Sequence, residues 1–447
     1  MATLQDKITD LSAHVAVVGL GYVGLPLATG FAKAGFRTTG IDVSEEKVDA
    51  INAGRSYIPD VLDEDIAPHV RADRLAATLD YDAVNEMDAV FICVPTPYDA
   101  QRAPDLSFIE AASESIRPRL HAGQLIVLQS TTYPGTTEEV VRPILEESGL
   151  EAGVDFHLAF SPERIDPGNT QWSAYNTPKV VGGLTPACTQ LATELLCQMG
   201  ASVHPVSSTR AAELTKLLEN TFRAVNIALV NELALLSERM GIDFWEVVEA
   251  AKTKPFGFMP FYPGPGVGGH CIPIDPYYLS WKAREYDYYT EFIELAGEVN
   301  QAMTYHVVDL ASHALSQQGK PLNGARVLVL GVAFKRDIDD ARNSPAERVI
   351  ELLLSRGAQV AYHDPYVPRF RVGGDVFHRE KVNLESVELT EEALAAADCV
   401  IIVTDHRSVD YERVVKHARL IVDTRNTTAG VTGYEEKIVR LGAPLSS

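Results

Sequence analysis

Three short cassettes far apart in the chain hold residue types that do chemistry together: glycines at Gly19, Gly21 and Gly24, Lys216 with Asn220, and the run Gly268-Gly269-His270-Cys271. A nucleotide-binding turn combined with a thiol and a cation describes a dehydrogenase that carries an alcohol past the aldehyde to an acid, because the thiol can hold the aldehyde covalently. The glycines before Cys271 allow close approach of a substrate and supply backbone donors, and Asp275 has the chemistry of a base or of a group that orients water. Cys271 also fits a plainer description, a small buried hydrophobe, as most cysteines outside disulfides are. On a helix, Lys216 and Asn220 project from one face, where an ammonium and an amide reach one oxygen and stabilise an alkoxide. A solvated lysine on an exposed turn is the competing description, against which stand the apolar neighbours Leu214, Leu217, Leu218 and Phe222. Glu163, between prolines in FSPERIDPG, is either a water-activating carboxylate or part of a turn.

The glycines also open a local fold. From His14 the chain reads an apolar strand, a glycine turn, an amphipathic helix and a second strand ending in Asp42, which is a βαβ unit. Gly19 permits the tight turn, Gly21 lets the backbone approach a pyrophosphate and Gly24 lets the helix pack on the strand, with Tyr22 and Val23 between them. Asp42 stands about 20 residues on, where a carboxylate accepts ribose hydroxyls and repels a 2′-phosphate, so the expected cofactor is NAD rather than NADP. Thr131 and Thr132 of QSTTYPGT follow a further strand, in the crevice where a cofactor lies.

Strand candidates at 89–94 and 125–128, separated by helical patterns, extend the unit to a parallel doubly wound sheet. A related pattern recurs later: RVLVLGVAFK, a helix over 346–355, QVAYHDP, and DCVIIVTDH at 398–406. The echo of AVFICVPTP by CVIIVTDH, and of the Asp42 strand end by HDP, predicts two α/β lobes. Lys335, Arg342 and Arg425 stand at strand ends of the second lobe, where they can neutralise a diphosphate, although surface solubility accounts for each singly. Between the lobes, residues 207–209 offer N-caps for a long helix ending at Gly241, apolar on most faces and so expected to lie between domains or against a second subunit. The loop PFGFMPFYPGPGVGGHC is too rich in Gly and Pro for helix or strand, and a loop beside such a helix is a natural place for a site.

A chain of 447 residues exceeds one core of roughly 100 to 200 residues. Its net charge of -22 disfavours nucleic acid or an anionic membrane as partner. With no long apolar run and no basic leader, the expectation is a cytoplasmic protein. Five scattered cysteines make a disulfide framework improbable, and without a CxxC or HxxxH pair no metal is expected.

These residues, in this order, resemble the nucleotide-sugar 6-dehydrogenases of the UDP-glucose/GDP-mannose dehydrogenase family. The match runs from about Val15 to Arg425 and includes GLGYVGLPLA, CVPTP, STTYPGT, FSPER, KLLEN, GPGVGGHCIPIDP, GVAFK, DARNSP and DTR. The fold this implies is α/β: two Rossmann-like doubly wound domains joined by a long central helix and a small helical domain. An NAD domain would occupy 1–205, a central helical domain with the cysteine loop and a dimer interface 206–305, and a UDP-binding domain 306–447. The activity implied is a four-electron oxidation with two NAD+, in which Cys271 attacks the C6 aldehyde and the resulting thioester is hydrolysed. Lys216 and Asn220 would hold the C6 oxygen, Asp275 would serve as base with a water, and Glu163 would assist hydrolysis. Thr96, Thr131 and Arg342 would touch the cofactor. The UDP-sugar would meet Glu163, Arg164, Tyr262, Gly268 and Phe334, with Lys335 and Arg425 facing its UDP portion.

Members acting on UDP-glucose usually carry Asn-Pro-Glu-Phe in place of SPER and a Lys before the aspartate of the cysteine loop; here Arg164 and Ile274 stand at those places. SPERIDPG, TPKVVGG and KTKPFGFMPFYPGPGVGGHCIPIDP are more similar to enzymes of UDP-N-acetylglucosamine, which ranks first, ahead of UDP-glucose and then UDP-N-acetylmannosamine. Two other classes compete: a two-electron hydroxy-acid dehydrogenase, which needs no Cys271, and a catalytically silent regulator that binds NAD or UDP-sugar. Retention of Cys271, Lys216, Asn220 and Asp275 together argues against the second.

Overall fold

The computed structural model describes residues 2–58, 61–98, 103–166, 168–169, 171–173, 175–374 and 378–444. The chain divides into two units, Met1–Glu219 with Tyr277–Tyr288 and Asn220–Pro276 with Tyr289–Ser447.

In the first unit, the pentapeptide HVAVV has apolar residues on both faces and needs cover on both. It forms β1 (His14–Val18), near the middle of a sheet with β2 (Arg37–Ile41), β3 (Leu75–Thr78), β4 (Ala89–Ile92), β5 (Leu125–Leu128), β6 (His157–Phe160), β7 (Lys179–Gly183) and β8 (Val203–Val206). The order is β3-β2-β1-β4-β5-β6-β7-β8. Val15 and Val17 enter one apolar layer with Phe31 and Phe91, while Ala16 and Val18 enter the opposite layer with Ile92, Ile126 and Phe160. The helix Gly24–Ala34 covers the first face and stops at Gly35, whose φ of 109° suits only glycine. The expectation of a parallel sheet holds except at one pair, since β7 runs antiparallel to β6.

The second unit is built on a five-stranded parallel sheet ordered β10-β9-β13-β14-β15, with a separate hairpin β11-β12. Its strands are β9 (Arg326–Leu330), β10 (Gln359–His363), β11 (Arg369–Val372), β12 (Val382–Glu385), β13 (Cys399–Ile402), β14 (Ile421–Asp423) and β15 (Ile438–Arg440). The helix Glu291–Gln317 lays Met303, Val307, Ala311 and Leu315 on the core, joined by Val230, Ala234, Phe244 and Val248.

The two sheets repeat one device. After β1, Gly19 at φ 89° donates to the Ile41 carbonyl, and a Cβ there would lie 2.7 Å from the Cys93 carbonyl oxygen. After β9, Gly331 at φ 80° donates to the His363 carbonyl, and a Cβ would lie 2.3 Å from the Thr404 carbonyl oxygen. In both, the acid ending the neighbouring strand accepts the next amide: Asp42 from Leu20 at 2.7 Å, Asp364 from Val332 at 2.7 Å. The echo between the lobes therefore extends to hydrogen bonds.

The expected long helix is Thr209–Met240, 32 residues. Ser208 caps it, its Oγ accepting the Ala211 amide at 3.2 Å, and Gly241 at φ 71° ends it. Among the described residues no helix is long and apolar enough to cross a membrane, and no cluster of three metal-ligating side chains occurs.

Candidate active site

The glycine turn fits a dinucleotide. A Cβ on Gly24 would sit 1.8 Å from the Gly19 carbonyl oxygen, so the helix meets the turn only through glycine, whereas a Cβ on Gly21 would meet nothing within 4 Å. The helix Gly24–Ala34 has no side-chain N-cap, which leaves its positive end for a phosphate. Tyr22 is exposed and Val23 half-buried. Asp42 is buried; its carboxylate accepts from the Leu20 and Ser44 amides and from Lys47 at 3.0 Å. Lys47 escaped the sequence reading, although a lysine five residues after the strand-end acid lies where it can reach that acid.

Beyond β4 and β5, Thr96 donates its hydroxyl to the Thr131 carbonyl at 2.7 Å, and the Tyr278 hydroxyl donates to the Thr96 carbonyl. The turn after Thr132 is held from the long helix by buried Glu213, whose carboxylate accepts the Gly135 amide at 2.6 Å and the amide and hydroxyl of Thr137 at 2.9 and 2.6 Å. Burial pushes the Glu213 carboxyl up, against the hydrogen bonds from Thr137 and Gly135.

Lys216 is 7% exposed, which removes the solvated-lysine description. The reason differs from the expected one: of its four apolar neighbours only Leu217 is buried, while Leu214, Leu218 and Phe222 face outward. Among the described residues Lys216 makes no side-chain hydrogen bond or ion pair within its unit. Glu163 is buried too, its Oε2 accepting from Gln129 at 2.8 Å and from Lys179 at 3.2 Å, and its Oε1 from the amides of Arg164 and Ile165. Arg164 forms a bidentate pair with Glu219 and donates to the Pro178 carbonyl. Neither Lys179 nor Glu219 stood out in the sequence.

In the second unit, Asn220 donates its amide to Asp275 at 2.5 Å. Asp275 opens the helix Asp275–Ala283, and its own amide donates to the Cys271 carbonyl at 2.8 Å, so the acid and the thiol belong to one turn. Cys271 is half-buried, unlike Cys93, Cys188 and Cys399, which are shut in the core. Burial pushes the thiols of Cys93 and Cys399 up, the latter to about 12. Burial also acts to raise Cys188, but hydrogen bonds from His157 and Thr185 bring it down to about 7 with no route to solvent.

The cysteine loop rests on the segment before the helix Pro345–Ser355. Asn343 donates to the Gly269 carbonyl at 3.2 Å, and His270 meets Asp340 at 3.3 Å. A Cβ on Gly269 would press on the Phe334 ring at 2.9 Å. Arg342, expected at a strand end, instead lies in this segment and grips Asp340 through Nε and Nη2. Burial acts to raise Asp340, yet His270 and Arg342 hold it well below the usual carboxylate range. Further back, Gly264 donates to Asn231 at 3.0 Å, Asn231 to Asn300, and Asn300 to the Ala224 carbonyl. A Cβ on Gly264 would come 2.7 Å from Arg425 Nη1, so the loop runs directly beneath that guanidinium, whose Nε donates to Asp405. Lys335 is half-buried, and Tyr262 stacks on Trp245 and donates to Glu249 at 2.6 Å.

The chain matches the UDP-glucose/GDP-mannose dehydrogenase family in three parts: the NAD binding domain over residues 13–199, the central domain over 210–302 and the UDP binding domain over 328–430. It is 41% identical over 356 residues to UDP-N-acetyl-D-glucosamine 6-dehydrogenase of Pseudomonas aeruginosa, covering 79% of this chain and 83% of that one. It is 36% identical over 441 residues to NDP-N-acetyl-D-galactosaminuronic acid dehydrogenase of Ralstonia nicotianae, covering 94% and 98%. Its fold matches a solved structure of UDP-D-ManNAc dehydrogenase from Pyrococcus horikoshii with a TM-score of 0.86 at 33% identity, over 96% of this chain and 99% of that one. The chain therefore belongs to the UDP-glucose/GDP-mannose dehydrogenase family and is an NAD-dependent nucleotide-sugar 6-dehydrogenase.

Proposed function

We propose that the substrate is UDP-N-acetylglucosamine and that its C6 alcohol is oxidised to the carboxylate through a thioester on Cys271. The observation that carries the chemistry is a buried lysine, Lys216, one helical turn from Asn220, whose amide meets Asp275 of the cysteine turn at 2.5 Å. A buried ammonium with no carboxylate partner among the described residues of its unit costs stability unless an incoming group uses it, and an alkoxide oxygen is such a group. NAD+, when bound, supplies a hydride acceptor for each of the two two-electron oxidations. Asp275, through a water, takes the C6 hydroxyl proton while Lys216 and Asn220 steady the oxygen. The Cys271 sulfur then adds to the aldehyde carbon, oxidation of that adduct leaves a thioester, and water assisted by Glu163 releases the acid and the thiol. Gly19, Gly21, Tyr22, Val23, Gly24, Asp42, Thr96, Thr131 and Arg342 make up the cofactor contacts in this reading. Arg164, Tyr262, Gly268, Phe334, Lys335 and Arg425 hold the UDP-sugar.

The N-acetyl preference is supported by the names of the relatives above, each of which refers to an N-acetylated sugar. UDP-N-acetylglucosamine ranks first because the relative with that name shares the highest of these identities. The proposal also retains the division at 1–205, 206–305 and 306–447, a homodimer, and work in the cytoplasm, in keeping with five cysteines none of which is in a disulfide.

Purified protein with NAD+ and, in turn, UDP-N-acetylglucosamine, UDP-N-acetylgalactosamine, UDP-N-acetylmannosamine and UDP-glucose should give the fastest NADH formation with the first. Two NADH per sugar are expected; one, with accumulating aldehyde, rejects the thioester route. Cys271→Ser should lower acid formation on the order of a thousand-fold while NAD+ binding persists, and unchanged acid production removes the covalent role.

A further inference from the structure

Lys179 lies on β7, wholly inside the first unit at 1% exposure, and its ammonium faces Glu163, itself 6% exposed, at 3.2 Å. Four donors surround that carboxylate: the amides of Arg164 at 2.8 Å and Ile165 at 3.1 Å on Oε1, and Gln129 at 2.8 Å and Lys179 on Oε2. A carboxylate offers about four lone-pair sites, so this one is saturated and fixed in place. Of the four donors only Lys179 carries charge. The remaining polar neighbours do not compensate it, since the Cys93 thiol, 4.0 Å from Gln129, is pushed up by burial and stays neutral. The Arg164 guanidinium is committed to Glu219.

We propose that Lys179 is a positioning residue for the hydrolytic half of the reaction: it holds the buried Glu163 carboxylate in the orientation that receives the water. This rests on the reading of Glu163 given above. A water enters the shell only by replacing one donor, and the ammonium is the contact that keeps the carboxylate anchored in the core when that happens. Without Lys179 the carboxylate loses its one charged contact and turns away from the water's path. Hydrolysis then slows, while the two oxidations, which use Lys216, Asn220, Asp275 and Cys271, do not.

The test is rapid mixing of the full-length enzyme with NAD+ and the best UDP-sugar of the panel. For Lys179→Met we expect the first two NADH per active site to form at the wild-type rate, followed by turnover slowed on the order of a hundred-fold. Enzyme quenched in the slow phase should carry the sugar acyl group on the peptide containing Cys271. Lys179→Arg, which preserves the charge, should restore most of the steady-state rate. Gln129→Leu removes the uncharged donor from the same oxygen and should show the same burst with a milder slowing, which keeps the idea testable if Lys179→Met does not fold. A variant that turns over as wild type, or one whose loss falls equally on the burst and the later phase, overturns the assignment. Wild-type enzyme yielding one NADH per sugar would instead overturn the thioester reading beneath it.

Discussion

A methyl group at Gly268 would lie 2.8 Å from the Asn343 carbonyl oxygen and from Pro345 Cδ, and 2.9 Å from Phe334 Cβ. None of these can yield without moving backbone or a packed ring, so Gly268→Ala should shift Cys271 rather than unfold the protein. A displacement of about 1 Å at a reacting centre costs on the order of a hundred-fold in rate. We expect kcat to fall by that order with the melting temperature changed by only a few degrees; a variant with wild-type kcat shows that the loop has slack. The flanking glycines were evident in the sequence, but their reason was not: they were read as room for substrate, and the structure adds room for Asn343, Pro345 and Phe334. The spacing of Lys216 and Asn220 on one helix was legible because four residues make about one turn. Lys179 was not, because nothing in TPKVVGG distinguishes a buried lysine from a surface one until β6 and β7 bring Glu163 beside it.

Secondary-structure elements were legible in proportion to their apolar continuity. β4, β5 and β13 are unbroken apolar runs, β1 and β9 are such runs after a leading His14 and Arg326, and the sequence located each of them. β8 is not such a run: it contains Pro205, tolerated because the strand ends the sheet. β7 ends in Gly182 and Gly183, where a Cβ would meet the Ser208 carbonyl oxygen and the Thr189 amide at 1.9 and 2.3 Å. At the end of β10, Asp364 accepts from the amides of Val332, Ala333, Tyr366 and Val367 and from His406 Nε2, whose Nδ1 accepts the Asp337 amide. Burial acts to raise this carboxyl, but His406 and the amides, Ala333 foremost, hold it below its usual value of 3.8. A depressed carboxyl contributes stability that is present above 3.8 and lost as pH falls through the lowered folded-state value. Asp364→Asn should therefore cost about 2 to 4 kcal/mol at neutral pH, since an amide nitrogen would confront N–H donors. Urea unfolding should show the gap to wild type narrowing as pH drops below 3.8; a gap independent of pH would rule out the ionised clasp.

At the scale of the molecule, a charge of -22 keeps chains apart except where apolar surface overrides it. The long helix exposes such a surface: Leu229, Leu233, Leu236 and Met240, at 52, 37, 49 and 61% exposure, follow one another at helical spacing on one side. The apolar strip suits the homodimer proposed above, whose burial must offset that repulsion, and sedimentation should find a dimer that Leu236→Lys weakens by about ten-fold or more in dissociation constant. A wild-type monomer at micromolar concentration would refute this. The helix was foreseen as apolar on most faces, but which side would remain bare depends on what packs against the others, and a single sequence does not contain that.

The same helix has a mechanical consequence. Glu213 fastens it to the turn at Gly135 and Thr137, and Lys216 follows within a single turn of the spiral. The rod cannot roll about its long axis without tearing three bonds from that carboxylate, so the amine is geared to the crevice wall. Whatever settles into the crevice and stiffens Thr131 should change how readily an amine-modifying reagent reaches Lys216, before any sugar has arrived.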